Sequence, residues 1–386
     1  MNPFNYGGIA TGKHFVDREN ELKKLKSLML SGGKALLISP RRYGKTSLAF
    51  KLKDTAAKDK DTVVIYIDII ACTSLREFIN KYSEALGKAL ENTVDKIIGI
   101  LKAVIPPLRP QIQVGPDGEF SLQLITQTTS EDEDRIFEKV IDLPEQLAIK
   151  KRKKIIVIFD EFQAINDIDT DKSHQKLLWK IRSIIQNHKH TGYIFAGSQK
   201  HLLENMAVPR SSPFFRMLEI VRLDKIPEAM YGKYIKEIFY KAGINVSNEI
   251  IETILKEAEN IPYYVLNLCH EIYENAEGNI KAITPVYIKH CVVSLTEKNN
   301  PYYENEWSKF STIQKNVLKA IAAGYRNNLF SIEATKRFNL SSIGGTQKAL
   351  KCLLESQYLT KEANMYLFDD IWFKEWIKEA GNRNVK

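Results

Sequence analysis

Up to Leu223, short apolar runs alternate with amphipathic stretches along the chain. Five runs read as strands: 34–38 (KALLI), 63–68 (VVIYID), 155–159 (IIVIF), 193–197 (YIFAG) and 219–223 (EIVRL). Their near-continuous apolar character is what a strand covered on both faces requires, so the pattern predicts an α/β fold with a parallel sheet and crossover helices. Helical periodicity fills the intervals at 19–30, 46–56, 74–104, 131–150, 172–188 and 199–206. One segment interrupts this rhythm. IQV-GPDG-EFSLQL at 112–123 pairs two alternating runs across a Gly/Pro/Asp turn, which predicts a β-hairpin inserted at about 110–126.

From Pro227 the strands stop, and helical patterns follow at 227–242, 247–258, 262–276 and 284–298, the make-up of a small helical lid. KNNPYYENE at 298–306 is polar and contains proline, and predicts a linker. Beyond it come helices at 307–323, 331–338 and 342–356, strands at 358–361 and 365–368, and a helix at 371–380, the order of a winged helix. The expected organisation is a core over 1–226, a lid over 227–300 and a winged-helix domain over 301–386. In the third winged-helix helix, Ile343, Leu350, Leu353 and Leu354 keep helical spacing and are expected in the core. That leaves Gln347, Lys348 and Lys351 outward, where a DNA reader meets the major groove.

The candidate chemistry sits at the ends of the strands. KALLI runs into Ser39-Pro40-Arg41-Arg42-Tyr43-Gly44-Lys45-Thr46-Ser47, and a helical pattern opens at Thr46. Backbone N–H groups at such a strand-to-helix turn wrap a phosphate, Gly44 permits close approach, Lys45 reaches the β- and γ-phosphates and the Thr46 hydroxyl ligates magnesium. The usual loop begins with glycine; here Ser39 takes that position. IIVIF ends in Asp160-Glu161. A carboxylate at a strand tip against such a loop holds magnesium, and the adjacent Glu161 is then placed as general base for a water attacking the γ-phosphate. The adjacent base favours hydrolysis over phosphoryl transfer to another substrate. YIFAG is followed by Ser198 and Gln199, either a sensor of the γ-phosphate and attacking water or, for Ser198, a helix N-cap. Arg210 and Arg216 precede the last strand; Arg216 is the preferred candidate for an arginine acting in a neighbouring subunit's site.

Charge adds little to this picture. The formal net charge of +9 suits an acidic partner such as nucleotide phosphate or nucleic acid, but residues 301–386 hold only 13 Lys/Arg against 9 Asp/Glu, a modest surplus for a DNA binder. Cys72, Cys269, Cys291 and Cys352 show no CxxC spacing and read as buried thiols in a reducing compartment. The opening MNPFNYGGIATGKHF lacks a basic or apolar leader pattern, and no apolar stretch is long enough to span a bilayer, so a cytoplasmic protein with no membrane partner is expected.

FVDRENEL at 15–22, SPRRYGKTSL at 39–48, IIVIFDEFQ at 155–163, YIFAGSQ at 193–199 and YLFDDIWFKEWI at 366–377 together resemble the archaeal-type ATPases, a branch of the STAND/AAA+ class of P-loop ATPases. The resemblance covers almost the whole chain. It implies a RecA/AAA+-like five-stranded core of order 5-1-4-3-2, a helical lid and a winged helix, with ATP and Mg2+ as cofactors. It also implies that Phe15, Val16 and Arg18 lie near the adenine. Relatives often carry a Gly-x-Pro at the lid that senses nucleotide; the matching stretch here is Asn260-Ile261-Pro262, without the glycine. Three readings of the task stay open: an ATP-hydrolysing switch or motor with DNA as a candidate partner, a nucleotide-gated adaptor with little turnover that assembles with itself or another protein, and a regulator tethered to DNA by its winged helix.

Overall fold

The computed structural model describes residues 2–10, 14–90, 109–114, 120–125, 130–168, 176–276 and 283–383. They fall into two compact units, Ile9–Asp224 and Met1–Gly8 with Lys225–Lys386. The strands of the first are β1 (Lys34–Ile38), β2 (Thr62–Asp68), an antiparallel pair β3 (Arg109–Val114) and β4 (Phe120–Ile125), β5 (Lys154–Asp160), β6 (Thr191–Gly197) and β7 (Glu219–Arg222). The expected hairpin is therefore present as a strand pair, and its turn lies outside the described residues. The other five strands make one sheet of order β2-β5-β6-β1-β7, every pairing parallel. Counted in chain order this is the 5-1-4-3-2 arrangement.

Side-chain alternation along each strand feeds two separate cores. Ala35 and Leu37 of β1, Ile156 and Ile158 of β5, and Ile194 and Ala196 of β6 cluster with Leu25 and Met29 of helix α1 (Glu19–Leu30) and Leu48 and Leu52 of helix α2 (Lys45–Ala56). The alternate residues, among them Val157, Phe159, Tyr193 and Phe195, cluster with Phe78 and Tyr82 of helix α3 (Leu75–Leu90) and Phe137. Every residue of the central strand β6 is buried, whereas the edge strand β7 exposes both its ends. Beneath the acidic strand tip the core is aromatic. Phe195 stacks on Phe159 with centroids 5.6 Å apart and also meets Phe162 at 4.5 Å and Phe214 at 5.2 Å. Phe159 and Phe162 bracket Asp160-Glu161 in sequence, so two anchored rings fix the backbone of the acidic pair.

The second unit is helical, with helices Glu228–Lys241, Asn248–Glu257, Pro262–Asn275 and Pro285–Lys298. Phe4 is buried against Phe239 at 4.5 Å, and Asn2 donates to Glu274 at 2.8 Å. The winged-helix region follows with helices Thr312–Ala322, Ile332–Arg337 and Ile343–Glu355, the antiparallel strands β8 (Leu359–Glu362) and β9 (Met365–Phe368), and helix Ile371–Arg383.

Three expectations need correction here. Residues 298–306 are not a linker: Asn300–Ser308 is a helix with its proline in the first turn, where the missing N–H is harmless. Its Tyr303 is buried against Phe373 and Trp376, and the expected 307–323 helix instead begins after a capping box formed by Ser311 and Gln314. Ile343 is 67% exposed; it lies at the first helical turn, beyond the core that takes Leu350 and Leu353. Cys352 is exposed, whereas Cys72, Cys269 and Cys291 are buried free thiols. Among the described residues no helix is long and apolar enough to cross a membrane.

A charged knot ties the parts of this unit together. Glu259 accepts from Lys374 at 2.6 Å and Arg326 at 2.8 Å. Burial opposes ionisation of Glu259, but the charges and hydrogen bonds of Lys374 and Arg326 prevail and hold its pKa down at about 2, against an ordinary 4.5. A carboxylate depressed in this way adds stability that is full above the ordinary value and lost as pH falls through the folded one. Glu259→Gln is therefore expected to lower the unfolding free energy at neutral pH by on the order of 2–3 kcal/mol and to flatten its decline between about pH 4.5 and 2, read from denaturant midpoints across that window. Ile343→Ala, in the same unit, is expected to cost under about 0.5 kcal/mol by the same measurement, and Phe195→Ala, in the other unit, about 3–5 kcal/mol.

Candidate functional site

A parallel sheet brings the C-terminal ends of its strands to one edge, and the helix N-termini that follow them point the same way. The β1 end runs from Ile38 through Ser39 into α2. Ser39 is fully buried; its Oγ donates to the Pro40 carbonyl at 3.1 Å, and its N–H donates to the Gly197 carbonyl at the tip of β6 at 3.2 Å. Arg42 (φ 69°) and Gly44 (φ 90°) are both left-handed, an alternation that turns successive N–H groups of a loop inward into an anion-binding concavity. The open N-terminus of α2 adds its unpaired amides and the positive end of its dipole. Ser47 accepts from the Ala10 N–H at 2.9 Å, so its hydroxyl pins the preceding segment to the loop.

Lys45, only 7% exposed, bridges the acidic pair, donating to Asp160 Oδ1 at 2.5 Å and to Glu161 Oε1. The other Asp160 oxygen accepts from Tyr66 at 2.6 Å and lies 3.4 Å from the Thr46 hydroxyl. Burial, with the Asp160 hydrogen bond and charge behind it, raises the Tyr66 phenol pKa, which keeps it a proton donor. Glu161 is left-handed (φ 48°). Its Oε2 accepts from Gln163 at 2.5 Å and from the Ser198 hydroxyl and N–H at 2.9 and 3.2 Å. Burial works to raise the Glu161 pKa, but the Lys45 charge and the hydrogen bonds from Lys45, Gln163 and Ser198 hold it below the ordinary value.

Lys45, Thr46, Asp160, Glu161 and Ser198 are thus brought together. Gln199, not Ser198, is the N-cap of helix Lys200–Ala207, which frees the Ser198 hydroxyl for Glu161. Phe15 packs beside α2 with Lys51 over its ring at 5.5 Å, and Val16 is half-buried. The Arg18 guanidinium is buried and spent on Glu21 at 3.1 Å and the Asp224 carbonyl at 2.5 Å. Arg210 and Arg216 are exposed, Arg216 left-handed at φ 58° and over the Phe215 ring. Pro262 belongs to the other unit, where it opens a helix and its carbonyl accepts from Tyr231. Two contributors escaped the sequence reading. Tyr66 is one hydroxyl in an apolar strand, and Gln163 closes the DEFQ string without an evident partner.

The donor set fits a hard cation: a hydroxyl and a carboxylate, all oxygen, is what magnesium takes when phosphates complete its shell. Among the described residues no group of three or more His, Cys, Asp or Glu side chains forms an all-protein metal cage, which magnesium does not need.

Residues 15–268 match the family model described as an ATPase domain predominantly from Archaea, and residues 301–379 match one described as a probable winged helix domain. Among solved structures, the Walker-type ATPase paby2304 of Pyrococcus abyssi is similar with a TM-score of 0.61 and 19% identity, over 97% of this chain and 99% of that one. The Aeropyrum pernix ORC2 protein, solved as ADPNP and ADP complexes, is similar with a TM-score of 0.55 and 12% identity, over 100% of this chain and 98% of that one. At such identities these likenesses speak for the fold alone. No curated protein matches the sequence significantly. With the family model spanning most of the chain and the phosphate-loop geometry beneath it, this protein belongs to the family of ATPase domains found predominantly in Archaea, a nucleotide-binding P-loop ATPase with a carboxy-terminal winged helix.

Proposed function

We propose that this chain hydrolyses ATP in a magnesium-dependent reaction and works as a nucleotide-driven switch or motor. The observation that carries the reading is the meeting of Lys45 and Thr46 with Asp160 and Glu161 at one sheet edge. Amides of the loop from Arg41 to Thr46 cradle the phosphates, and Lys45 exchanges its carboxylate partners for β- and γ-phosphate oxygens. Thr46 and Asp160 would hold Mg2+, which supplies charge neutralisation at those oxygens. Glu161 takes a proton from a water whose oxygen bonds to the γ-phosphorus. The bond from that phosphorus to the bridging oxygen breaks, and its electron pair leaves with ADP. Ser198 and Gln199 report on the γ-phosphate, Phe15 and Val16 lie toward the base, and Arg216 serves a neighbouring copy. The core, lid and winged-helix divisions at 226 and 300 are part of the same proposal.

One observation favours a slower, adaptor-like variant of the same switch. Both Glu161 oxygens already have partners, so turnover requires Lys45 to let go first. Another favours DNA as the target. Gln347, Lys348 and Lys351 are all exposed on helix Ile343–Glu355.

Lys45→Ala is expected to lose ATP binding in a fluorescent-nucleotide titration. Glu161→Gln is expected to bind ATP but to release phosphate at least about a hundredfold more slowly, and chelating magnesium should stop release in the parent chain. A Glu161→Gln variant that releases phosphate at the parent rate removes that residue from the base role. Reversing charge at Lys348 and Lys351 is expected to abolish DNA binding, whose affinity in the parent should fall steeply with salt. Duplex binding that is salt-insensitive, or unchanged in the reversed variant, sinks the DNA reading while leaving the ATPase reading intact.

A further inference from the structure

Gln163 sits in the short turn Phe162–Ala164 that follows the acidic pair, and it is 5% exposed. Its Nε2 donates to Glu161 Oε2 at 2.5 Å, beside the two donors from Ser198. Three donors therefore gather on one oxygen of Glu161, and the other oxygen turns to Lys45. The amide carbonyl of Gln163 is buried and has no hydrogen-bond partner among the described residues. Reversing the amide would set that oxygen against the Glu161 carboxylate, so Glu161 dictates its orientation. A residue serving only to fill the turn would gain by being apolar, since an unpaired buried carbonyl is costly.

Gly197 completes the arrangement. Its backbone is ordinary strand and outside the left-handed region, so its conformation does not call for glycine. Space does. A Cβ there would stand 2.1 Å from Gln163 Oε1 and 3.0 Å from a Leu203 methyl. The missing side chain at the tip of β6 is the seat of the Gln163 amide, and the amide in turn directs a carboxylate at the tip of β5.

We infer that Gln163, seated over Gly197, is the positioning residue that holds Glu161 for hydrolysis, an inference that rests on Glu161 being the base. In the full-length chain with Mg-ATP, Gln163→Met keeps the length and removes the donor. It is expected to lower kcat about ten- to a hundredfold while ATP affinity stays within about threefold. Gly197→Ala should cause a similar loss in the parent and no further loss when added to Gln163→Ala. In nucleotide-free protein, Gly197→Ala should lower Tm by about 4 °C or more in the parent and by about 1 °C or less in the Gln163→Ala background. Parental kcat in Gln163→Met while Glu161→Gln is silent overturns this inference alone, as does a Gly197→Ala Tm loss that is equal in both backgrounds. Parental turnover in Glu161→Gln overturns the base assignment and this inference together.

Discussion

Lys45 carries its charge into a place that water hardly reaches, and it is stable there because two carboxylates meet it. An ammonium buried alone would shed its proton or unfold its surroundings; two carboxylates buried side by side would repel. Each of the three charges is tolerable only in the presence of the others. The excess negative charge faces the positive end of α2, the Tyr66 hydroxyl and the Ser198 amide. The loop after β1, the tip of β5 and the tip of β6 therefore stand or fall together, although no two of them are neighbours in sequence. Backbone strain fits the same picture. Glu161 holds a left-handed conformation that costs on the order of 1–3 kcal/mol, and it persists because this charge cluster determines where its carboxylate must be.

The sheet is what makes such a meeting possible. Parallel pairing aligns Ile38 with Gly197 and Asp68 with Asp160, which brings the loop, the acidic pair and the Ser198 turn to the same edge. Fully buried strands require apolar residues on both faces, and the two cores supply them. The aromatic stack below adds rigidity where it matters, because Phe159 and Phe162 enclose the acidic pair in sequence and both pack on one ring, Phe195. The proposed base role of Glu161 needs placement within a fraction of an ångström, and rings stacked beneath a strand end supply it better than a loop does.

What could be read from the chain follows from how local each signal is. Continuous apolar runs announced the five strands, and the strand-to-helix spacing around Gly44, Lys45 and Thr46 announced the loop, because both depend on neighbours in sequence. Tyr66 and Gln163 could not be read that way: their value comes from register across β2 and β5 and from a turn whose direction no propensity encodes. The segment 298–306 misled because proline and polar residues mark linkers in general, whereas here proline occupies a first helical turn and Tyr303 finds aromatic partners from the far end of the chain. Ile343 misled in the opposite sense. Helical spacing says which residues share a face, but not how far along the helix the core extends.

Asn260 shows how a departure from a family pattern can preserve what the pattern is for. Where the family resemblance leads one to expect glycine, this chain places two consecutive left-handed residues, Glu259 at φ 48° and Asn260 at φ 53°. Asparagine is among the few residues with a side chain that adopt this region at modest cost, so the turn glycine would make is retained. The side chain then does what glycine cannot, donating from Nδ2 to the Ile226 carbonyl at 2.8 Å. Glu259 beside it lends its carboxylate to Lys374 and Arg326 of the winged-helix region. Both side chains of this turn are anchored, and any rearrangement passing through Glu259-Asn260 must break a partly buried ion pair and a buried hydrogen bond at once.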